Sequence, residues 1–441
     1  MRLIFFIAIF TASCICCAQP SKVKIQKISE LEYTLLVDDK PFFIKGGGGI
    51  SDWESVVQCG GNSVRTWGLE NARELLDKAQ RLGLKVMMGM WMQHERHGFD
   101  YDDKAKVKNQ LEYFKSQVIA LKDHPALLMW GVGNEVDLFY TNTQVWYAVE
   151  DIAKMIHEVD PNHPTCTVTA GLDSAEVRLI KERSPSIDIY GINTYGDISS
   201  VREHLIEYGW SGPYMITEWG PNGHWEVTKT KWRAPIEQTS SEKAISYGMR
   251  YQKEILSAPK NCLGSYAFLW GHKQETTSTW YGLFSKEHEK TEAVDTLKTF
   301  WTNQALFNRS PSVSVLRCNG KNADQSVMLE AGTIANFSID VSDRDKDALK
   351  YTWKLVPEST DIKAGGDVES EPEPIEGAFA RKNLNSASLR VPREEGAYRV
   401  FYEVRDGHSS LGYANFPFYV LPMDNQQVPA REHFIKQSLN D

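Results

Sequence analysis

The chain has 441 residues, 41% of them hydrophobic and 24% charged, with 31 Gly and 18 Pro. This ordinary globular composition excludes a collagenous, coiled-coil or wholly disordered chain, and the length is enough for two or three domains. The net charge of -9 and the lack of a long basic run exclude the phosphate-neutralising surface that nucleic-acid binding requires.

Taken in chain order, the first 18 residues read as a secretory signal, with Arg2, an apolar run from Leu3 to Phe10 and then small residues and cysteines. Two processing points fit, one after Ala18 and one before Cys14, so secretion and lipid anchoring at the cell envelope both remain open. The apolar run falls well short of the roughly 20 residues that span a bilayer, so no integral membrane segment is expected. Of seven cysteines, Cys59, Cys166, Cys262 and Cys318 lie outside this segment, widely spaced and without a CxxC pair. They read as buried free thiols rather than as a zinc site.

From residue 23 to residue 307 short apolar runs alternate with amphipathic helical stretches, after a hairpin at Val23 to Asp39 that is expected to cap the bottom of the fold. Eight strand candidates stand out: Phe42 to Lys45, Ser63 to Thr66, Val86 to Trp91, Leu127 to Val132, Thr165 to Thr169, Ile187 to Ile192, Tyr214 to Thr217 and Ser265 to Leu269. Eight such units over about 260 residues predict a (β/α)8 TIM barrel, whose active site lies at the carboxyl ends of the strands. Gly46 to Gly49 lack the lysine and hydroxyl residue of a nucleotide loop and read as a flexible turn. From residue 310 to 424 the period changes to two, predicting a C-terminal immunoglobulin-like β-sandwich. Within it Lys363 to Ile375 reads as an exposed acidic loop, Trp353 as core, and Asp343 and Asp345 as a solvated turn rather than a calcium site. Residues 425–441 read as a polar tail.

Two glutamates fall at the barrel mouth. Strand four runs through Trp130-Gly131-Val132-Gly133 into Asn134-Glu135, and strand seven through Ile216-Thr217 into Glu218-Trp219-Gly220. Carboxyl groups facing each other across a bound molecule are what glycoside cleavage needs, one to protonate the leaving oxygen and one to attack or to activate water. In these motifs the chain resembles the clan A glycoside hydrolases, retaining enzymes with (β/α)8 barrels. The resemblance covers Phe42 to Phe307 and implies that Glu135 is the acid/base and Glu218 the nucleophile. It further implies that Arg65 lies near the nucleophile, that Asn134 contacts the sugar, that Tyr195 donates its hydroxyl to Glu218, and that Trp270 is the platform under the cleaved sugar. Trp91, His94 and Trp219, at strand ends, are sugar-contact candidates; His94 and His97 lack a third ligand, so neither a metal nor a cofactor is expected.

The barrel followed directly by one sandwich resembles the family 158 endo-β-1,3-glucanases. That likeness implies a secreted, monomeric hydrolase acting on a β-glucan polysaccharide or oligosaccharide. A β-mannanase, a β-1,4-glucanase or an exo-acting β-glucosidase, galactosidase or glucuronidase would use the same two glutamates, although family 2 exo-enzymes usually carry sandwich domains ahead of the barrel, where only the short hairpin stands here. A non-catalytic glycan-binding surface protein is the alternative from another class.

Overall fold

A computed structural model describes residues 19–422, so the signal expected before Pro20 and the polar tail lie outside the described residues. Eight parallel strands close into a barrel: β1 (Ile44–Gly48), β2 (Ser63–Arg65), β3 (Lys85–Met90), β4 (Leu127–Val132), β5 (Thr165–Ala170), β6 (Ile189–Asn193), β7 (Tyr214–Trp219) and β8 (Cys262–Ala267). A helix follows each: α1 (Trp53–Gln58), α2 (Ala72–Leu82), α3 (Lys104–Leu121), α4 (Val145–Val159), α5 (Ser174–Arg183), α6 (Val201–Glu207), α7 (Ser240–Arg250) and α8 (Glu292–Thr302). Every residue of β4 and of β7 is buried, which is why β4 reads as an unbroken apolar run and β7 as one up to Thr217-Glu218.

The glycine run is not a flexible turn. Gly46, Gly47 and Gly48 are buried within β1, and a Cβ on Gly46 would stand 2.2 Å from the Tyr266 ring, one on Gly47 2.7 Å from Trp270. The missing side chains make room for aromatic rings. At the opposite end of the barrel the antiparallel strands Val23–Ser29 and Glu32–Val37 place Val23, Leu35 and Val37 against Ile44, Leu128, Met215 and Tyr266, closing the barrel bottom. The four cysteines are buried and unpaired, and burial pushes each thiol up, that of Cys166 to about 12.

The C-terminal region is β-rich. Strands β9 (Lys350–Pro357), β10 (Gly396–Arg405) and β11 (Ser410–Leu421) lie side by side and antiparallel in one sheet, with β9 at its edge. A second sheet, built on Ile334–Ser338 and Ser386–Arg390, packs over it, with Phe337 5.7 Å from Phe416 across the layer. Trp353 is buried between them, 4.7 Å from Tyr402.

This region is fastened to the barrel by buried charge. Lys243 of α7 reaches Glu237 at 2.6 Å, the carbonyls of Thr279 and Trp280, and the Tyr413 hydroxyl of β11 at 3.1 Å. Arg399 of β10 pairs with Glu358 at 2.6 Å and donates to the Pro235 carbonyl. Such pairs hold position more than they add stability, because both charges have left water.

Candidate active site

Side chains alternate across a strand, so at the end of β7 Glu218 faces the mouth while its neighbour Trp219 faces the helices. Three donors converge on the Glu218 carboxyl: Arg65 Nη1 at 3.0 Å and Trp67 Nε1 at 2.7 Å on Oε1, and the Tyr195 hydroxyl at 3.0 Å on Oε2. Three donors on one carboxyl group suit an anion. Arg65, 1% exposed, also donates through Nη2 to Asn134 Oδ1 at 2.6 Å and through Nη1 to the Thr217 carbonyl.

Glu135 follows β4 through Gly133, and its own φ of 50° lies in the left-handed region that side chains rarely adopt. Backbone strain of this kind collects at functional sites, where the surrounding structure over-determines it. The Glu135 amide donates to the Val168 carbonyl of β5, and its Oε1 accepts from Asn193 Nδ2 at 2.8 Å. Burial first, and then the negative charge of Glu218, push the Glu135 carboxyl up to about 7; Asn193 and Arg65 act in the opposite direction. The two glutamates therefore share a mouth but differ in surroundings, one held by charge-assisted bonds and the other made a weak acid.

Both open onto one cleft of about 1160 Å³, also lined by Trp67, Trp91, Asn134, Tyr195, Trp225 and Phe268. The upper end of the usual small-molecule range is about 1,000 Å³, so there is room for more than one sugar ring. Trp225 on the loop after β7 is 55% exposed and meets the Tyr195 ring edge-on.

Three expectations need correction. His94 does not face the cleft: it is 1% exposed, and its Nε2 bonds to the Asn134 carbonyl at 2.7 Å, bracing the segment that carries Glu135. Burial drives its pKa down to about 4, which fits a neutral ring donating to that carbonyl. Trp219 is fully buried against Tyr247 and Tyr251. Trp270 is also fully buried, stacked on Trp301 of α8 with its indole N–H donated to Asp52 and Ser55, so it is no platform. The reason is register. Strand β8 ends at Ala267, so the residue that emerges at the mouth is Phe268, packed with Trp67, Tyr195 and Tyr281.

Asn193, Trp67 and Phe268 were missed in the sequence, although each directly ends or follows a barrel strand. Asn193 is the hub of the polar layer, giving Nδ2 to Glu135 and Asn134 and accepting on Oδ1 from Arg65 and Thr217. The acidic stretch of the sandwich is the exposed loop expected, and in addition Thr360 and Ile362 to Asp367 line the cleft. In the sandwich, Asp343, Asp347 and Asp406 bring carboxylate oxygens within 4.8 Å of one another, while Asp345 turns to the Arg309 amide.

Residues 50–239, which carry both glutamates, match the family model described as "Glycosyl hydrolases family 2, TIM barrel domain". Over this segment the barrel resembles that of the family 2 glycoside hydrolases. Among curated proteins the chain is similar to pig (Sus scrofa) β-glucuronidase, 23% identical over 290 residues covering 61% of this chain and 37% of the relative. It is also similar to mouse (Mus musculus) β-mannosidase, 24% identical over 261 residues, covering 50% and 28%. The chain thus spans about a third of the length of these relatives. Among solved structures, β-glucuronidases of Faecalibacterium prausnitzii (TM-score 0.50, 17% identity, 64% of this chain and 52% of that one) and Bifidobacterium dentium (0.50, 19%, 65% and 50%) share the fold. These matches point to the family 2 barrel rather than to the family 158 glucanases.

Proposed function

We propose that the protein is a retaining β-glycoside hydrolase acting on neutral β-linked glycans. The observation that carries this reading is the pairing of one carboxyl held by Arg65, Trp67 and Tyr195 with a second that burial, and then the charge of Glu218, raise to a pKa of about 7. In the first step Glu218 attacks the anomeric carbon and forms the glycosyl-enzyme ester, while Glu135 gives its proton to the departing oxygen. Glu135, now a carboxylate, takes a proton from water, which displaces Glu218 and releases the sugar with its anomeric configuration retained. Asn134, whose Oδ1 is taken by Arg65 and Asn193, has its amide nitrogen left for a sugar hydroxyl.

The cations of the cleft bear on substrate class. Arg65 pairs with Glu218, Arg96 with Asp367, Lys273 with Glu275 and Lys363 with Asp361. Among the described residues each of these cations already has a carboxylate partner, which favours neutral sugars over the glucuronides in the relatives' names. A neutral exo- or endo-acting β-glycosidase fits the family 2 likeness; the β-1,3-glucan reading rests on the order of barrel and sandwich and on the roomy cleft. In either case we place the enzyme outside the cell or in its envelope, as a monomer. The test is a panel of aryl β-glucoside, β-mannoside, β-galactoside and β-glucuronide together with β-glucans, mannans and xylans, scored by aglycone or reducing-sugar release. Hydrolysis of a neutral member and none of the glucuronide is expected; release from the glucuronide alone overturns the substrate class, and release from none overturns the enzyme.

A further inference from the structure

The cleft is not built by the barrel alone. After β9 the chain leaves the sandwich at Glu358, which is locked to Arg399 by 2.6 and 3.1 Å contacts, and runs across the barrel mouth to Glu369 as a strap. Its second half is tied to the barrel loops on two sides, first to the loop after β3. Arg96 donates to both carboxylate oxygens of Asp367 at 2.9 and 3.2 Å and to the Ala364 and Gly365 carbonyls at 3.3 and 3.4 Å, and His97 meets Asp367 at 3.1 Å. The same stretch is also tied to the loop after β8. Lys273 Nζ bridges the Gly366 carbonyl at 2.6 Å and Glu275 at 2.9 Å, and the Thr276 amide donates to Glu369 at 2.6 Å.

The local sequence is suited to this close approach. Gly365 and Gly366 have φ of 61° and 72°, which strains any other residue, and a Cβ on Gly365 would stand 2.6 Å from Leu138 and 2.8 Å from Arg96, so the strap backbone lies close against these barrel side chains. The backbone amides of Ala364, Gly365 and Gly366 have no partner among the described residues, although these three line the cleft. The same cleft is lined by Trp91 after β3 and by Leu138 and Phe139 after β4, with Leu138 against the strap and Phe139 69% exposed. Unpaired N–H groups beside exposed apolar and aromatic side chains suit a sugar ring, which offers hydroxyls on its rim and C–H groups on its faces.

Resting on the reading of Glu135 and Glu218 as the cleaving pair, we propose that the strap of residues 358–369 forms, with Trp91 and Phe139, a binding subsite for a neutral sugar unit beyond the one being cleaved. The C-terminal sandwich is then part of the substrate-binding site rather than a spacer, and the Arg96–Asp367 pair is a positioning contact that sets preference for chain length. This assignment comes from contacts that join residues about 270 positions apart in sequence.

Two variants of the full chain test it: Asp367→Ala, which unties the strap from Arg96 and His97, and replacement of residues 361–367 by a Gly/Ser segment of equal length. For each, kcat/KM is measured on gluco- and manno-oligosaccharides of two to six units and on the aryl β-glycoside of the same sugar, with folding checked by thermal unfolding. The expected result is that the ratio of kcat/KM on the longest oligosaccharide to that on the aryl glycoside falls about tenfold or more. An unchanged ratio in folded Asp367→Ala, whether or not both rates drop together, overturns the subsite. If the parent protein cleaves none of these compounds, the hydrolase reading fails on its own, and the strap is read by affinity electrophoresis in gels containing β-glucan or mannan. Weaker retardation of the variants than of the parent is then expected, and equal or absent retardation overturns the proposal.

Discussion

Asn193 Nδ2 donates to Glu135 Oε1 at 2.8 Å while Asn193 Oδ1 accepts from Arg65, which in turn holds Glu218. A single side chain at the end of β6 therefore links the two carboxyl groups through hydrogen bonds. Asn193→Ala is expected to reduce kcat/KM by about 10- to 100-fold, the scale of one lost hydrogen bond to a charged group plus the unpaired partners it leaves. Steady-state kinetics beside a thermal melt separates this loss from unfolding.

Glu218→Ala is expected to abolish turnover, by about 10⁴-fold or more. Added azide restores it by taking the vacated place, giving a glycosyl azide of inverted configuration detectable by proton NMR. Full activity of this variant removes Glu218 from the mechanism. Glu135→Gln is expected to lose about 10²- to 10⁴-fold on poor leaving groups and much less on a nitrophenyl glycoside, whose departing oxygen needs no proton.

The pH dependence follows from the raised Glu135. Its protonated form is the working acid, so activity is present below its pKa and falls as pH rises through about 7. Glu218→Gln removes a charge that raises the Glu135 pKa, so in that variant the Glu135 carboxyl titrates at lower pH, which carbon-13 NMR of labelled glutamate detects.

Phe268 and Trp270 are expected to separate function from stability. Trp270→Ala empties a fully buried site against Trp301 and should cost about 3–5 kcal/mol in denaturant unfolding. Phe268→Ala, at the cleft wall, should lower kcat/KM by a larger factor than Trp270→Ala does under conditions where both variants are folded.

Lys243→Met is expected to destabilise the chain by about 3–5 kcal/mol, because it leaves Glu237 buried without its cation between barrel and sandwich. Chemical denaturation followed by tryptophan fluorescence reads this directly.

Much of the barrel was legible because parallel strands buried on both faces become apolar runs, and amphipathic helices between them keep a 3.6-residue period. Glu135 and Glu218 were visible for the same reason, as charges that end such runs. Strand ends were less secure. Ser265 to Leu269 was read as the last strand, whereas pairing with β1 sets it at Cys262–Ala267, and this slip moved the mouth position from Phe268 to Trp270. His94 misled in another way, since a polar residue after a strand marks the site region but not which way its ring turns.

By itself the sequence determined the alternation of elements, the two glutamates and the change of period near residue 310, all of which are local patterns along the chain. Only the tertiary structure decided that Asn193 joins the carboxyl groups, that Trp219 and Trp270 face the helices, and that an acidic stretch of the sandwich walls the cleft. Those facts depend on strand register and on contacts between distant segments, such as Arg96 with Asp367, and periodicity carries no information about either.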